Sequence, residues 1–584
     1  MRALLTGNEA IARGAWEAGV LFASAYPGTP STEILENLAR YGEVSAQWAP
    51  NEKVALETGI GASLAGARVL VAMKHVGVNV AADPLFTFSY TGVNGGLVLV
   101  SADDPGMHSS QNEQDNRHLG AFAKVPILEP ADSQEAKDFV GLAFWLSETF
   151  DTPVILRITT RVAHGKSVVE MGERKEKGLA PFKVDPGKYV MVPANARQRH
   201  RAVEERMQKL REFSEEFSAK RIEWGRERRI GIITSGISYH YAREALGEEA
   251  SYLKLALINP LPEKTITGFA GEVEELYVLE ELDPVIETQV RALGLSVWGK
   301  ELFSALGELS PELVVAGFRG NGGEDTAPPE GVIPRPPVLC AGCPHRGTFY
   351  VLNKLKVVVN GDIGCYALGV APPLSAMHSI ICMGASVSNA YGFQEAFRAA
   401  GEEGPEAVAV IGDSTFLHSG IPGLLNVVYN GGRTTTIILD NSTTAMTGHQ
   451  DHPGTGATLK GDPAPRADLE KICRALGIKD VRTVDAYKLA ELEAGIRAAL
   501  QSEEPSVVIV RRPCVLLKGR GPKGFYEVKR DLCRNCRLCL RLGCPAIEVR
   551  EEQVWINNTL CNGCSLCEQV CAFNAIVKGG EENE

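Results

Sequence analysis

The sequence predicts an α/β fold built on parallel sheets and closed by a small cysteine-rich α+β module. Three observations carry that expectation. Short apolar runs alternate with helical stretches over most of the 584 residues, the rhythm of parallel strands joined by crossover helices. Two of these runs end in Gly412-Asp413-Ser414 and in Asp440-Asn441-Ser442-Thr443. Eight of the 14 cysteines fall between residues 533 and 571, in two runs of four.

Residues 20–25, 68–73, 96–101 and 153–158 read as strands of a first unit over 1–165. After the first strand, Tyr26-Pro27-Gly28-Thr29-Pro30-Ser31-Thr32 is a strand-to-helix turn, with Thr29 as N-cap and Pro30 as first helical residue. Glu52, after Trp48-Ala49-Pro50-Asn51, opens a helical stretch of small and apolar residues. Lys74-His75-Val76-Gly77 follows a buried strand at the same sheet edge, and the polar loop 103–118 lies nearby. Residues 166–227 break the rhythm as a charged helical linker, with 197–229 expected as one exposed helix. A second α/β unit spans 228–320, with strands at 229–234, 253–258 and 276–280. Residues 321–337, rich in Gly and Pro, read as a linker. A third α/β unit covers 338–522, the cysteine module 524–580, and an acidic tail 581–584.

Composition narrows the function classes. Apolar content of 44% and charged content of 23% are those of a soluble globular protein. A net charge of −12, with no basic stretch to offset it, argues against nucleic acid as partner. Residues 1–20 mix Arg2, Glu9, Arg13 and Glu17 into the apolar pattern, so no export signal is expected. No run reaches the ~18 apolar residues of a membrane helix. The cysteines are then expected as metal ligands, not disulfides, in a cytoplasmic, reducing setting.

The two strand ends at Asp413 and Asn441 should lie side by side at the carboxyl edge of one sheet, where open α/β folds bind ligands. Asp413, Asn441 and the carbonyl of Thr443 offer hard oxygens suited to Mg²⁺, and the helix start after Ser414 aims backbone N–H groups at an anion. The pattern resembles the thiamine diphosphate motif, with Ser414 standing where glycine is more usual. That resemblance implies thiamine diphosphate held by Gly412, Asp413, Ser414, Asn441 and Thr443, with Mg²⁺ on Asp413, Asn441 and Thr443.

The cysteine runs carry a second resemblance. Cys533, Cys536 and Cys539, and then Cys561, Cys564 and Cys567, recur at every third position. Two zinc sites would have no use for the third cysteine of each run or for Pro545 after Cys544. The runs resemble those of bacterial two-cluster ferredoxins, except that four residues, not three, separate Cys539 from Cys544. The resemblance implies crossed ligation: Cys533, Cys536, Cys539 and Cys571 on one [4Fe-4S] cluster, and Cys544, Cys561, Cys564 and Cys567 on the other. Residues 546–560, with Trp555, would form the hairpin between the halves, and metal binding would supply much of the folding free energy of so small a module.

Taken together, the chain resembles the 2-oxoacid:ferredoxin oxidoreductases, and most closely the large subunits of the indolepyruvate-specific family. The likeness rests on Met73-Lys74-His75-Val76-Gly77-Val78-Asn79, on Asp103-Asp104-Pro105-Gly106-Met107-His108, and on the order of units along almost the whole chain. It implies a pyrimidine-type domain at 1–165, a transketolase C-terminal-like domain at 228–320 and a diphosphate-type domain at 338–522. Glu52, which on residues alone is a carboxylate countering a helix dipole, becomes the catalytic group that activates thiamine diphosphate. Thr29, otherwise a plain capped turn, becomes a substrate contact, and His75 is a candidate for proton transfer or pocket shape. Cys340, Cys343, Cys365 and Cys514 correspond to a possible third cluster; Pro344-His345-Arg346 departs from the relatives' glycine there and is alternatively a substrate or cofactor element.

The implied reaction is oxidative decarboxylation of an aryl 2-oxoacid with coenzyme A, giving an arylacetyl-CoA, CO₂ and reduced ferredoxin. The implied partners are a smaller beta subunit and an external ferredoxin. A different 2-oxoacid, a non-oxidative thiamine-dependent decarboxylase and a non-catalytic electron-transfer subunit are the alternatives. The decarboxylase would not need eight cluster cysteines.

Overall fold

Seven strands form the first sheet of the computed structural model, in the spatial order Leu257–Asn259, Ile127–Leu128, Val154–Thr159, Leu97–Asp103, Val69–Lys74, Phe22–Ala25 and Ser45–Trp48. All neighbours run parallel except Leu257–Asn259, which pairs antiparallel with Ile127–Leu128. The structure describes residues 1–320, 331–333, 335–519 and 521–580. Most of the linker expected at 321–337, and the tail at 581–584, lie outside the described residues.

The chain forms two compact units, 1–330 and 331–584. In the first, the central strands Val69–Lys74, Leu97–Asp103 and Val154–Thr159 are buried on both faces, which is why they read as continuous apolar runs. A second sheet, ordered Glu275–Leu279, Ile230–Ser235, Ala250–Leu255 and Arg221–Glu223, shares a core with the first through Ile233, Leu253, Val278, Ile286 and Val71.

Two expectations are corrected here. Residues 253–258 are not one strand: Ala250–Leu255 belongs to the second sheet and Leu257–Asn259 crosses to the edge of the first. Nor is 197–229 one exposed helix. The helix runs Pro193–Glu216, and Val203, Met207 and Leu210 bury one stripe of it, so it is a packing element. Beyond it, the Lys220 ammonium donates to the carbonyls of Ser214 and Phe217 (3.1 and 3.4 Å) near the helix end, and Arg221–Glu223 is recruited as an antiparallel edge strand.

The second unit holds a six-stranded, all-parallel sheet ordered Ser379–Ile380, Val358–Gly361, Ala407–Gly412, Thr435–Asp440, Ser506–Arg511 and Asp480–Asp485. The cysteine module is not an appendage on it. Tyr526, Leu542, Ile547, Val554, Ile556 and Leu566 join Leu339, Phe349, Leu352 and Leu489 in one continuous core. Within the module, Ile547–Arg550 and Gln553–Ile556 form a hairpin turned by Glu551 and Glu552 in the left-handed region. Trp555 lies under the Arg530 and Arg550 guanidiniums, 4.9 and 5.5 Å from its ring centre. Among the described residues no helix is long and apolar enough to cross a membrane.

Candidate functional site

In the first unit, Glu52 is the first residue of the helix Glu52–Leu64, whose N-cap Asn51 accepts the Val54 N–H at 2.9 Å. Its side chain is buried. The helix His75–Val80 passes so close that a Cβ on Gly77 would stand 2.6 Å from Glu52 Oε1 and 2.7 Å from its Cγ. Gly77 is therefore the residue that lets a carboxyl group sit in this interior, a role the sequence reading did not assign. Gly77→Ala should displace that carboxylate; under the catalytic role that the resemblance implies for Glu52, a displacement of about 1 Å would cost on the order of a hundredfold in kcat, which steady-state kinetics on the folded variant checks.

Thr29 and Pro30 require a correction. The helix begins at Thr32, and Ser31, not Thr29, precedes it; the Ser31 N–H and hydroxyl both donate to the Gly28 carbonyl at 2.8 and 2.9 Å. A tight Gly28–Ser31 turn satisfies those donors locally, so the helix starts two residues later than a Pro at its first position demands. The Thr29 carbonyl instead accepts from the Ser109 hydroxyl at 3.3 Å. Ser109 also accepts the Lys74 ammonium, on its carbonyl at 2.7 Å and its hydroxyl at 3.2 Å. Burial lowers the Lys74 pKa to about 8 against the opposing pull of Asp104. Lys74, missed by sequence reasoning, thus brings a desolvated cation to the turn that carries Thr29.

His75 is fully buried, its Nε2 3.2 Å from the Asn112 carbonyl, and burial holds its pKa below the ordinary value. Its backbone carbonyl accepts the Asn116 amide at 3.0 Å. Asn116 is in turn held by Asp103, whose Oδ2 also accepts Arg157 Nε at 2.8 Å. Arg157 and Arg117 lie at the centre of a buried cluster of four carboxylates, Asp103, Asp115, Glu129 and Glu280, and Arg117 also donates to the backbone carbonyl of buried Glu281 at 2.9 Å. Burial pushes the Glu281 carboxyl up to about 7.

In the second unit, the Asp413 carboxylate joins the two strand ends. Its Oδ1 accepts the Ser414 N–H and its Oδ2 the Ser442 N–H, both at 2.9 Å. Asn441 Oδ1 accepts the Thr443 N–H at 3.3 Å, and the Ser414 hydroxyl accepts from Thr444 at 2.9 Å. Asp413, Ser414, Asn441 and Thr443 are all buried, and burial raises the Asp413 pKa. A buried carboxylate beside an amide oxygen is a donor set that suits Mg²⁺. Asp413 and Asn441 bring one carboxylate and one amide to this edge, so a cation here would rest on these and on backbone or cofactor oxygens. Asp362 escaped the sequence reading although it also ends a strand of this sheet. Its carboxylate accepts the N–H groups of Ile363, Gly384 and Ser386 at 2.9, 2.9 and 3.0 Å and fixes the loop before the helix Ala385–Ala400.

Twelve of the 14 cysteines fall into three sets, with Cys382 and Cys473 outside them. Among the described residues no three His, Cys, Asp or Glu side chains are drawn together tightly enough to hold a metal as they stand. Cys533, Cys536, Cys539 and Cys571 line one cavity, and Cys544, Cys561, Cys564 and Cys567 line another. Burial pushes the Cys539 thiol up to about 11, and Cys536, Cys571 and Cys533 push the same way. The Cys567 thiol is raised by burial and then by Cys564, Cys561 and Cys544. Burial likewise takes Cys365 to about 11, with Cys514 and Cys340 adding to it. Cys343 goes to about 12 through burial, with upward contributions from Cys340 and Cys365. The four thiols that line each of the first two cavities suit a cubane cluster.

The third set adjoins the Asp413–Asn441 edge. The Cys514 N–H donates to the Asn441 carbonyl at 2.9 Å, and His345, two residues from Cys343, has its Nε2 3.4 Å from Asn441 Nδ2. Burial lowers the His345 pKa to about 4, leaving a neutral ring against the amide.

Comparison with known proteins agrees with this anatomy. Residues 13–218 match the family model described as "Pyruvate flavodoxin/ferredoxin oxidoreductase, thiamine diP-bdg". Residues 362–510 match "Thiamine pyrophosphate enzyme, C-terminal TPP binding domain". The chain is similar to proteins named indolepyruvate oxidoreductase subunit IorA. That of Archaeoglobus fulgidus is 42% identical over 98% of this chain and 97% of the relative. Those of Pyrococcus horikoshii and Methanothermobacter thermautotrophicus are each 40% identical over 99% of this chain and 97% of the relative. With identity of that order over nearly its full length, and thiamine-binding domains at both ends of the α/β region, the chain belongs to the indolepyruvate oxidoreductase subunit IorA family, within the 2-oxoacid:ferredoxin oxidoreductases.

Proposed function

We propose that this chain is the catalytic large subunit of an enzyme that oxidatively decarboxylates aryl 2-oxoacids, indolepyruvate foremost. The balanced reaction takes one 2-oxoacid, one coenzyme A and two oxidised ferredoxins to one arylacetyl-CoA, one CO₂, two reduced ferredoxins and a proton. The aryl preference follows the relatives' names. The partners are a smaller beta subunit and an external ferredoxin, and the setting is cytoplasmic and anaerobic.

One observation supports this reading: the Cys514 backbone N–H donates to the Asn441 carbonyl and His345, two residues from Cys343, faces the Asn441 amide, so the third cysteine set borders the edge that suits Mg²⁺ and diphosphate. A non-oxidative decarboxylase has no use for an electron acceptor at that place. Bound thiamine diphosphate would supply the electron sink for loss of CO₂, and bound [4Fe-4S] clusters would accept electrons singly.

The chain's own residues supply the rest. Residues 1–165 would hold the pyrimidine side, with Glu52 sharing a proton with the cofactor ring. Residues 338–522 would hold the diphosphate and Mg²⁺ through Gly412, Asp413, Ser414, Asn441 and Thr443, and 228–320 is the transketolase C-terminal-like domain. Residues 524–580 would form a two-cluster ferredoxin domain with crossed ligation. Thr29 and the Lys74 ammonium beside it favour a seat for the substrate carboxylate, with His75 shaping its wall. Anaerobic purification should yield about twelve iron atoms per chain, four for each cysteine set. About eight would remove the third cluster, and a chain that binds neither iron nor thiamine diphosphate would overturn the proposal.

A further inference from the structure

Among the described residues, Arg346 is a buried cation with no carboxylate partner. Its side chain is among the most enclosed in the chain. Nη1 donates to the Leu542 carbonyl at 2.7 Å, and Nη2 donates to the carbonyls of Leu339 and Cys340 at 2.6 and 3.0 Å. Nε, also buried, has no hydrogen-bond partner among the described residues. The other two fully enclosed guanidiniums, Arg117 and Arg157, are each paired with carboxylates. Three neutral carbonyls orient a guanidinium but leave its charge uncompensated, and an unpaired charge in a protein interior is costly. Its position therefore points to an anion nearby.

The cavity that Arg346 lines is the one lined by Cys544, Cys561, Cys564 and Cys567. Its walls are drawn together by short contacts between the two halves of this unit. Asn562 Nδ2 donates to the Ala341 carbonyl at 2.7 Å, and the Tyr487 hydroxyl to the Gly342 carbonyl at 2.6 Å. A Cβ on Gly342, which sits at φ +65°, would fall 1.9 Å from Asn562 Oδ1. Loop 340–343 and loop 561–564 are thus in van der Waals contact, with Arg346 bridging from one to the carbonyl at the far side of the other's cavity.

We propose that Arg346 is a positioning residue for electron transfer: its fixed positive charge raises the reduction potential of the cluster held by Cys544, Cys561, Cys564 and Cys567 relative to the cluster held by Cys533, Cys536, Cys539 and Cys571. The inference rests on the cluster reading given above. Four thiolates around a [4Fe-4S] core make a net anion, which supplies the missing counter-charge. Adding one electron makes that site more negative by one unit with no proton taken up, so a guanidinium on its wall favours the reduced form. The low dielectric of the interior keeps the effect from being screened.

The test is a redox titration of the iron-loaded chain followed by electron paramagnetic resonance, with iron counted in every sample. Arg346→Gln, which keeps hydrogen-bonding capacity and removes the charge, should move the midpoint of the cluster held by Cys544, Cys561, Cys564 and Cys567 to lower potential by about tenfold in the reduction equilibrium, which is 59 mV for one electron. The midpoint of the cluster held by Cys533, Cys536, Cys539 and Cys571 should hold, whereas a cluster on the third set, whose Cys340 carbonyl Arg346 also contacts, is expected to move in the same direction as the first. Arg346→Lys should keep that midpoint within about threefold of the parent. Arg346→Met is the second charge-free variant, read in the same way if the Gln variant does not accumulate.

A charge-free variant that loads full iron with every midpoint unmoved overturns the proposal and leaves Arg346 as a brace between the two loops. Equal shifts in the charge-free and Lys variants also overturn it. A parent chain without iron would sink the cluster reading instead, and the iron count tells the two failures apart.

Discussion

Glu52→Gln should lower turnover by about 10²–10⁴-fold, the range for removal of a positioned acid–base group, and leave the fold intact. Gln keeps the volume and the hydrogen-bonding capacity of the side chain, and Asn51 continues to cap the helix through Val54. It cannot share a proton with a cofactor ring. Glu52 is buried at a helix start against Gly77, whereas a carboxylate that only counters a helix dipole gains nothing from such enclosure. That lesser role makes a different prediction: a stability loss of about 0.3–1 kcal/mol with turnover unchanged. Measuring kcat and the unfolding temperature of the same preparation separates the two. Unchanged turnover would return Glu52 to the structural role.

Arg157→Met should destabilise the first unit by about 3–5 kcal/mol, the cost of stranding buried carboxylates by removing their partner. Arg157 is almost fully enclosed and contacts Asp103 at 2.8 Å, Glu129 closely and Asp115 at 3.8 Å. Met restores the volume but not the charge, so Asp103 and Glu129 lose their cation inside the protein. The lesion also has a path to the site, since Asp103 accepts the Asn116 N–H and Asn116 holds the His75 carbonyl at the start of the helix that covers Glu52. Thermal unfolding and kinetics should therefore fall together. A variant with the parent's unfolding temperature would mean that the cluster is neutralised in some other way.

The sheets were legible because their central strands are buried on both faces and leave long apolar runs. Residues 68–73 and 96–101 were each located to within two residues of the observed strands Val69–Lys74 and Leu97–Asp103. The two C-terminal cysteine runs were legible because their first three cysteines recur at every third position, and the residues of each cavity-lining set come from both runs. What the sequence hid depends on contacts between distant segments. The late start of the helix at Thr32 is decided by a Gly28 carbonyl that takes both Ser31 donors, where capping preferences alone favour Thr29 and Pro30. The end of the long helix at Glu216 is set by its neighbours in the fold, and its charged sequence gave no stop. Gly77, Lys74, Asp362 and Arg346 matter because of what stands opposite them, and each has a partner distant in sequence: Glu52, Ser109, Gly384 with Ser386, and Leu542. Asp362 alone left a trace, as an acidic residue at a strand end of the same sheet as Asp413.

The most direct test is an anaerobic assay of the chain purified with its smaller subunit, following reduction of a viologen dye with indolepyruvate as substrate. Dye reduction should require indolepyruvate and coenzyme A together and yield two electrons for each CO₂ released. Release of CO₂ without dye reduction, or at the same rate when coenzyme A is omitted, would contradict an oxidative role for this chain.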